Sequence, residues 1–290
     1  MDIARLRQLF PWVAACAAFG LAAASCASKA ADEPPLGGKQ TIAGPVGSIY
    51  VDDGGGKDGL PVVFLHSFGG DSSHWSSQLS HLRHSRRALA VDLRGHGKSA
   101  APRDADYSMR AFVKDLEAVV NTLEIKRFVL VGHSLGGAVA AAYAAAHPGR
   151  VAGLVLVGAP GRMAPEQAKP IVASIEKDYD RAMQGYWEKL VEGAQPHVRT
   201  QVLGQMGSVN RDASLAIIRM LFEYDTPKAV DRYSGPKLVV HTAQGNAPHD
   251  IQNARPQLPR REMAQTSHWP HLDRPREFNE MLEEFLAGVK

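Results

Sequence analysis

Short apolar runs rich in β-branched residues recur along the chain at Pro61–Leu65, Ala88–Val91, Phe128–Val131, Leu154–Val157 and Leu238–His241, separated by stretches with helical spacing. An apolar run of four or five residues with no polar alternation predicts a strand covered on both faces, and strands alternating with helices predict parallel pairing. The fold class is therefore α/β: a mostly parallel sheet with helices on both faces. Thr41 to Val51 predicts leading antiparallel strands, and Tyr107 to Leu123 a helix whose Met109, Phe112 and Val113 face the core. Pro275 to Leu286 reads as an amphipathic terminal helix.

The interval between the strand ending near Val157 and the one beginning near Lys237 is far longer than one crossover needs. Its Met183, Trp187, Met206, Met220 and Phe222 sit in a pattern of several helices, which predicts a helical insertion at 162–232 between core segments 45–161 and 233–290. With 290 residues, 44% hydrophobic and 22% charged, the chain is long enough to bury a substantial core. The formal charge of +3 is modest. No basic run carries interleaved aromatics, and Arg83 to Arg87 reads as a solvated helix end, so no nucleic-acid partner is expected.

Residues 1–31 have a different character. Arg5 and Arg7 precede an alanine-rich apolar stretch from Leu9 to Ala24, the charged and hydrophobic regions of a secretory leader and too short for a membrane span. Cys16 and Cys26 both fall in this segment, so the remaining domain has no cysteine pair to oxidise. Cys26 follows Ala23-Ala24-Ser25, which resembles a bacterial lipoprotein cleavage site with Ala23 where Leu is more usual. Two outcomes stay open: a lipid anchor through Cys26, or cleavage near Ala30 and a soluble secreted product. Either implies an exported protein, periplasmic or extracellular. Residues 32–44, rich in Pro and Gly, read as a linker.

The candidate chemistry centres on Gly132-His133-Ser134-Leu135-Gly136, a G-x-S-x-G pattern at the junction of an apolar strand and a small-residue helix. A serine on such a turn adopts a strained backbone that exposes its hydroxyl, while the flanking glycines let neighbouring chain approach. The Leu135 N–H lies at a helix start, where unpaired donors and the positive dipole end favour a developing oxyanion. The strand Leu60–Leu65 ends in His66-Ser67-Phe68-Gly69-Gly70, whose Phe68 N–H is a candidate second oxyanion donor. Late in the chain, His268 is the candidate general base for Ser134, with His271 as a rival three residues on.

Together with Asp92-Leu-Arg94-Gly95-His96-Gly97-Lys98-Ser99 and Ser267-His268-Trp-Pro-His271-Leu, these segments resemble the α/β-hydrolase superfamily from about residue 45 onward. The resemblance implies an α/β-hydrolase fold with a cap at 162–232 over the active site, and a structural role for Asp92 and Arg94 in bracing a turn. Family members most often have His-Gly in the first loop, so Ser67 is a departure. The third member of the triad usually follows the strand that here ends at His241, yet Thr242-Ala243-Gln244-Gly245-Asn246 contains no acid. Nor does the alternative family position, Gly158-Ala159-Pro160-Gly161. Asp250, the first carboxylate after His241, is the expected acid, with Asn246 as a weaker orienting group.

The expected function is a serine hydrolase that cleaves a small carboxylic ester or related acyl substrate through an acyl-enzyme. The catalytic residues are Ser134, His268 and Asp250, and the Phe68 and Leu135 amides form the oxyanion hole. Lactonase, carbon–carbon hydrolase, perhydrolase and acyltransferase activities use similar residues. A non-catalytic ligand-binding protein on the same fold is the alternative of a different class. No cofactor is required. No H-E-x-x-H or Cys/His spacing points to a metal site, so the expected partner is a small ester-like molecule.

Overall fold

The computed structural model describes residues 38–56, 58–243 and 247–290. The expected leader at 1–31, its Cys26 and the alternative orienting residue Asn246 lie outside the described residues. An eight-stranded sheet runs in the order β1-β2-β4-β3-β5-β6-β7-β8. The strands are β1 (Gly38–Ala43), β2 (Ser48–Gly55), β3 (Val62–Leu65), β4 (Arg87–Val91), β5 (Phe128–His133), β6 (Val151–Val157), β7 (Lys237–His241) and β8 (Arg260–Glu262). β2 pairs antiparallel with both β1 and β4, and every other pairing is parallel.

Side-chain alternation divides the core into two layers. Val63 and Leu65 of β3 and Phe128 and Leu130 of β5 face one cluster, while Val62, Phe64, Val129 and Val131 face the other. The first layer is closed by α2 (Met109–Thr122) and α3 (Leu135–Ala146), which supply Phe112, Leu116, Val139 and Tyr143. The second is closed by α1 (Ser76–Leu82) and the terminal helix Pro275–Ala287, through Leu79, Leu82, Phe278 and Leu282. Ser108 starts α2 as a side-chain cap, accepting the Ala111 amide at 3.3 Å.

Five helices lie between β6 and β7: α4 (Pro165–Lys177), α5 (Tyr179–Leu190), α6 (Pro196–Gly204), α7 (Arg211–Glu223) and α8 (Thr226–Arg232). After β7 come the short α9 (Ile251–Ala254) and α10 (Pro270–Asp273), then the terminal helix, α11. Among the described residues no helix is long and apolar enough to cross a membrane.

Two differences from the hydrophobic pattern concern polar strands. β1 occupies Gly38–Ala43, inside the expected linker, and pairs from Gly38↔Asp53 to Ala43↔Ser48. Of its side chains Ile42 alone is buried, so the ladder rather than an apolar stripe makes it a strand. β8 is wholly exposed and polar, an edge strand held by its pairing with β7.

The chain leaves β3 for β4 on one side, then returns for β5 on the other. That reversal places a crevice at the carboxyl ends of β3 and β5, where open α/β sheets bind ligands. The loop containing Phe68 and the turn containing Ser134 both leave the sheet there.

Candidate active site

Ser134 sits between β5 and α3 with φ 52° and ψ −113°, a left-handed backbone that costs a non-glycine residue on the order of 1–3 kcal/mol. The surroundings hold it there. Its amide donates to the Val157 carbonyl at 2.9 Å, and its carbonyl accepts Ala138 N–H at 3.1 Å. A Cβ on Gly132 would strike the Gly136 carbonyl, and one on Gly136 would strike that of Leu65, so both glycines of the motif are required by backbone packed against backbone. Gly136 N–H donates to the His66 carbonyl at 3.1 Å, pinning the start of α3 to the β3 loop. Leu135, the first residue of α3, keeps an amide with no intrahelical acceptor.

The β3 loop turns at Ser67-Phe68-Gly69-Gly70, where Gly70 N–H donates to the Ser67 carbonyl at 3.1 Å and Gly69 has φ +72°. A positive φ at the third position marks a turn that glycine favours, and the Phe68 N–H at the second position is left out of the turn's own bond. His66 secures the loop from behind. Leu93 N–H donates to its Nε2 at 2.9 Å, so Nδ1 carries the proton and donates to the Ser67 carbonyl at 2.7 Å. Burial pushes the His66 pKa down to about 4. Asp92 accepts Ser72 N–H at 2.6 Å and Lys98 N–H at 2.8 Å, while Arg94 makes a buried two-pronged bond to Asp115 at 2.6 and 2.7 Å. These two residues brace the loops, as the resemblance implied.

His268 is half-buried on the loop before α10. Its backbone is held at both ends: the amide donates to the Leu190 carbonyl of α5 at 3.1 Å, and the carbonyl accepts His133 Nε2 at 2.8 Å. The ring lies 4.8 Å from the His133 ring, and a Cβ on Gly158 would come within 3.0 Å of its Cε1 and 3.3 Å of its Nδ1. Thus His133, next to the nucleophile in sequence, ties the serine turn to the histidine loop. His271 is fully buried behind it, with its ring 4.8 Å from that of His133 and stacked on Trp75 at 4.1 Å. Burial lowers the pKa of His268 to about 4 and holds His133 and His271 well below the ordinary histidine value.

Among the described residues Asp250, the expected orienting acid, makes no hydrogen bond to His268. Its Oδ2 accepts Ala247 N–H at 2.7 Å, and its backbone forms a bridge with Pro160. Position and bonding turn the carboxylate into its own loop at the head of α9, where burial raises its pKa. Among the described residues no carboxylate bonds to the His268 ring, and burial is the one cause acting on its pKa.

Three residues at the site escape the sequence pattern. Asp273 accepts Ser267 N–H at 2.7 Å, Ser267 Oγ–H at 2.6 Å and Gln195 N–H at 2.8 Å, so it shapes the histidine loop and anchors it to the helical insertion. The Trp269 indole donates to Ser67 Oγ at 3.3 Å. Trp187 of α5 is buried and stacks at 5.9 Å on Phe68 and at 6.0 Å on Trp269. Serine beside a histidine, and a tryptophan in an apolar list, give no signal of such placement. The 162–232 segment contacts the loops of the site: the Leu190 carbonyl accepts His268 N–H, Trp187 stacks on Phe68, and Ser208 Oγ–H donates to the Gly69 carbonyl at 3.1 Å. Among the described residues no three His, Cys, Asp or Glu side chains converge as metal ligands.

A strand-turn-helix serine at the carboxyl end of a parallel sheet, late histidine and helical cap define an α/β-hydrolase fold. The chain belongs to the alpha/beta hydrolase fold family, whose family model matches residues 61–206. It is 42% identical over 114 residues to a non-heme chloroperoxidase of Streptomyces lividans, covering 39% of this chain and 41% of that protein. It is 36% identical over 127 residues to a 2-hydroxymuconate semialdehyde hydrolase of Pseudomonas sp. (strain CF600), covering 43% and 44%. The chain spans about two-fifths of the length of these curated relatives. A solved structure of a thermophilic esterase from Thermogutta terrifontis superposes with a TM-score of 0.73 at 23% identity, over 87% of this chain and 99% of that one, a likeness of fold.

Proposed function

We propose that this protein is a serine hydrolase acting on a small carboxylic ester or related acyl substrate. The observation that carries the reading is the strained Ser134 backbone, held at φ 52° between β5 and α3 with the free Leu135 amide directly after it. A backbone of this cost persists where surrounding structure over-determines it, and here it lifts a hydroxyl to the crevice.

In this reading His268 takes the Ser134 proton as the oxygen attacks the substrate carbonyl, and the Phe68 and Leu135 amides stabilise the tetrahedral oxyanion. His268 then returns the proton to the leaving alcohol, and water repeats the attack on the acyl-enzyme. With burial keeping the ring neutral near pH 7, His268 is in its base form. The Leu190 and His133 bonds fix its backbone and the ring packs on Gly158, and among the described residues no carboxylate bonds to it. An imidazolium without a carboxylate partner is less stabilised, which predicts slow turnover.

The similarity to a non-heme chloroperoxidase and to a 2-hydroxymuconate semialdehyde hydrolase places peroxidase and semialdehyde hydrolase activities beside ester hydrolysis among those to test. The test is hydrolysis of p-nitrophenyl esters by wild type and Ser134→Ala, with fluorophosphonate labelling of Ser134. Serine-dependent turnover and a labelled Ser134 support the proposal. Ligand binding with neither turnover nor labelling would replace it with a binding protein. Export through residues 1–31 is part of the same proposal, and the mass of the mature N-terminus decides it: a lipidated Cys26, a start near residue 31, or an intact leader that refutes it.

A further inference from the structure

Trp187 of α5 meets both the Phe68 loop and the histidine loop. On one side its ring stacks on Phe68, the proposed oxyanion residue, at 5.9 Å and 21°. On the other it stacks on Trp269, next to His268, at 6.0 Å and 14°. Its ring edge lies on Gly69 so closely that a Cβ there would fall 2.6 Å from Cζ2 and Cη2. Trp187 is 3% exposed and Ser134 9%, so both are buried beneath the surface.

A cavity of about 260 Å³ adjoins this stack. Its apolar walls are Phe68, Trp187, Met183, Met206, Val209 and Tyr179, and its lining stops at Phe68 and Trp187 without including Ser134 or His268. Trp187 is thus a shared wall, with the reacting residues on one side and an apolar chamber on the other. Methionines and aromatics make a chamber that adapts to apolar groups of varied shape.

We propose that Trp187 is the specificity-determining residue of the site: its indole partitions the chamber from Ser134, and its displacement admits the apolar acyl or alcohol group of a bulky ester. This rests on the serine-hydrolase reading above. With the indole in place the site takes short esters. With it removed the chamber adds apolar contact for longer groups, worth about fourfold in kcat/KM for each methylene buried. The chamber lining carries Asp180 and no Lys or Arg, so neutral esters rather than free carboxylates are the matching class.

The experiment compares kcat/KM of wild type, Trp187→Phe and Trp187→Ala on p-nitrophenyl acetate, hexanoate and laurate and on a parallel series of acetate esters of short and long alcohols. Ser134→Ala is carried through both series. The expected result is a long-to-short ratio raised about tenfold or more in Trp187→Ala in one series, and by a smaller step in Trp187→Phe. Should Trp187→Ala fail to fold, Trp187→Phe carries the test, and Met183→Trp added to it refills the chamber from the preceding turn of α5 and reverses the gain. A ratio unchanged in both series, with Ser134-dependent turnover intact, overturns the role of Trp187 and leaves the hydrolase reading standing. Turnover indifferent to Ser134→Ala overturns both.

Discussion

The Ser67 hydroxyl accepts the Trp269 indole N–H at 3.3 Å, joining the loop after β3 to the residue beside His268 across 202 positions of sequence. Both residues are buried, so the bond connects the oxyanion loop to the histidine loop inside the protein. The departure from glycine at position 67 therefore has a structural use. Ser67→Ala leaves a buried indole donor without a partner, and a bond at the long end of the range predicts a loss of about 1 kcal/mol. Urea unfolding should show a lower midpoint with an unchanged slope. A variant as stable as wild type would mean that the contact carries no energy.

Asp250 gives a sharper test, because its carboxylate bonds to Ala247 and not to His268. Removing the acid of a working triad lowers kcat by about 10⁴. Asp250→Asn should lower kcat less than about tenfold, since the loop loses charge but no catalytic contact. A loss of a thousandfold or more in single-turnover assays would show that the carboxylate reaches His268 during the reaction.

Asp273 is the carboxylate on which the histidine loop depends. It accepts three donors, two from Ser267 and one from Gln195, and is itself buried. Asp273→Ala strands those donors and should cost about 3–5 kcal/mol of stability, with Asp273→Asn costing less because an acceptor oxygen remains. Thermal melts of the two variants beside wild type give the order directly. Equal melting temperatures for wild type and Asp273→Ala would refute it.

The parts legible in the sequence are those with a periodic or motif signal. The parallel strands announce themselves as apolar runs because helices cover them on both faces, and Gly132 and Gly136 mark the elbow around Ser134 because a Cβ at either would strike backbone. β8 is invisible, having three exposed polar residues that pair by backbone alone. The direction of the Asp250 side chain is not legible for a related reason. Order along the chain makes Asp250 the first carboxylate after β7, but which way a side chain points depends on the Pro160 bridge and the Ala247 bond, neither of which leaves a trace in residue order. The cap's apolar residues are likewise plain as a group, while the selection of Trp187 to meet both Phe68 and Trp269 is a product of packing between segments distant in sequence.

Five buried histidines and the half-buried His268 give the domain a pH response. His66 and His268 have pKa values lowered to about 4 and His96 to about 3, chiefly by burial, and His74, His133 and His271 are lowered from the same main cause. Well above pH 6.5 these groups are neutral folded or unfolded and contribute no pH dependence. As pH falls below 6.5, the unfolded chain takes up protons that the folded chain refuses until about pH 4 for His66 and His268, so stability declines through that window. His66 alone accounts for up to about 3 kcal/mol. Unfolding free energies at pH 7, 6, 5 and 4.5 should fall progressively, with proton uptake on unfolding of more than one per molecule near pH 5. In the same window the proposed base His268 remains neutral, so kcat/KM measured on the fraction still folded should hold down to about pH 5 and drop toward pH 4. A kcat/KM inflection near pH 6.5 with stability flat from pH 7 to 5 would place these rings in contact with solvent and overturn both expectations.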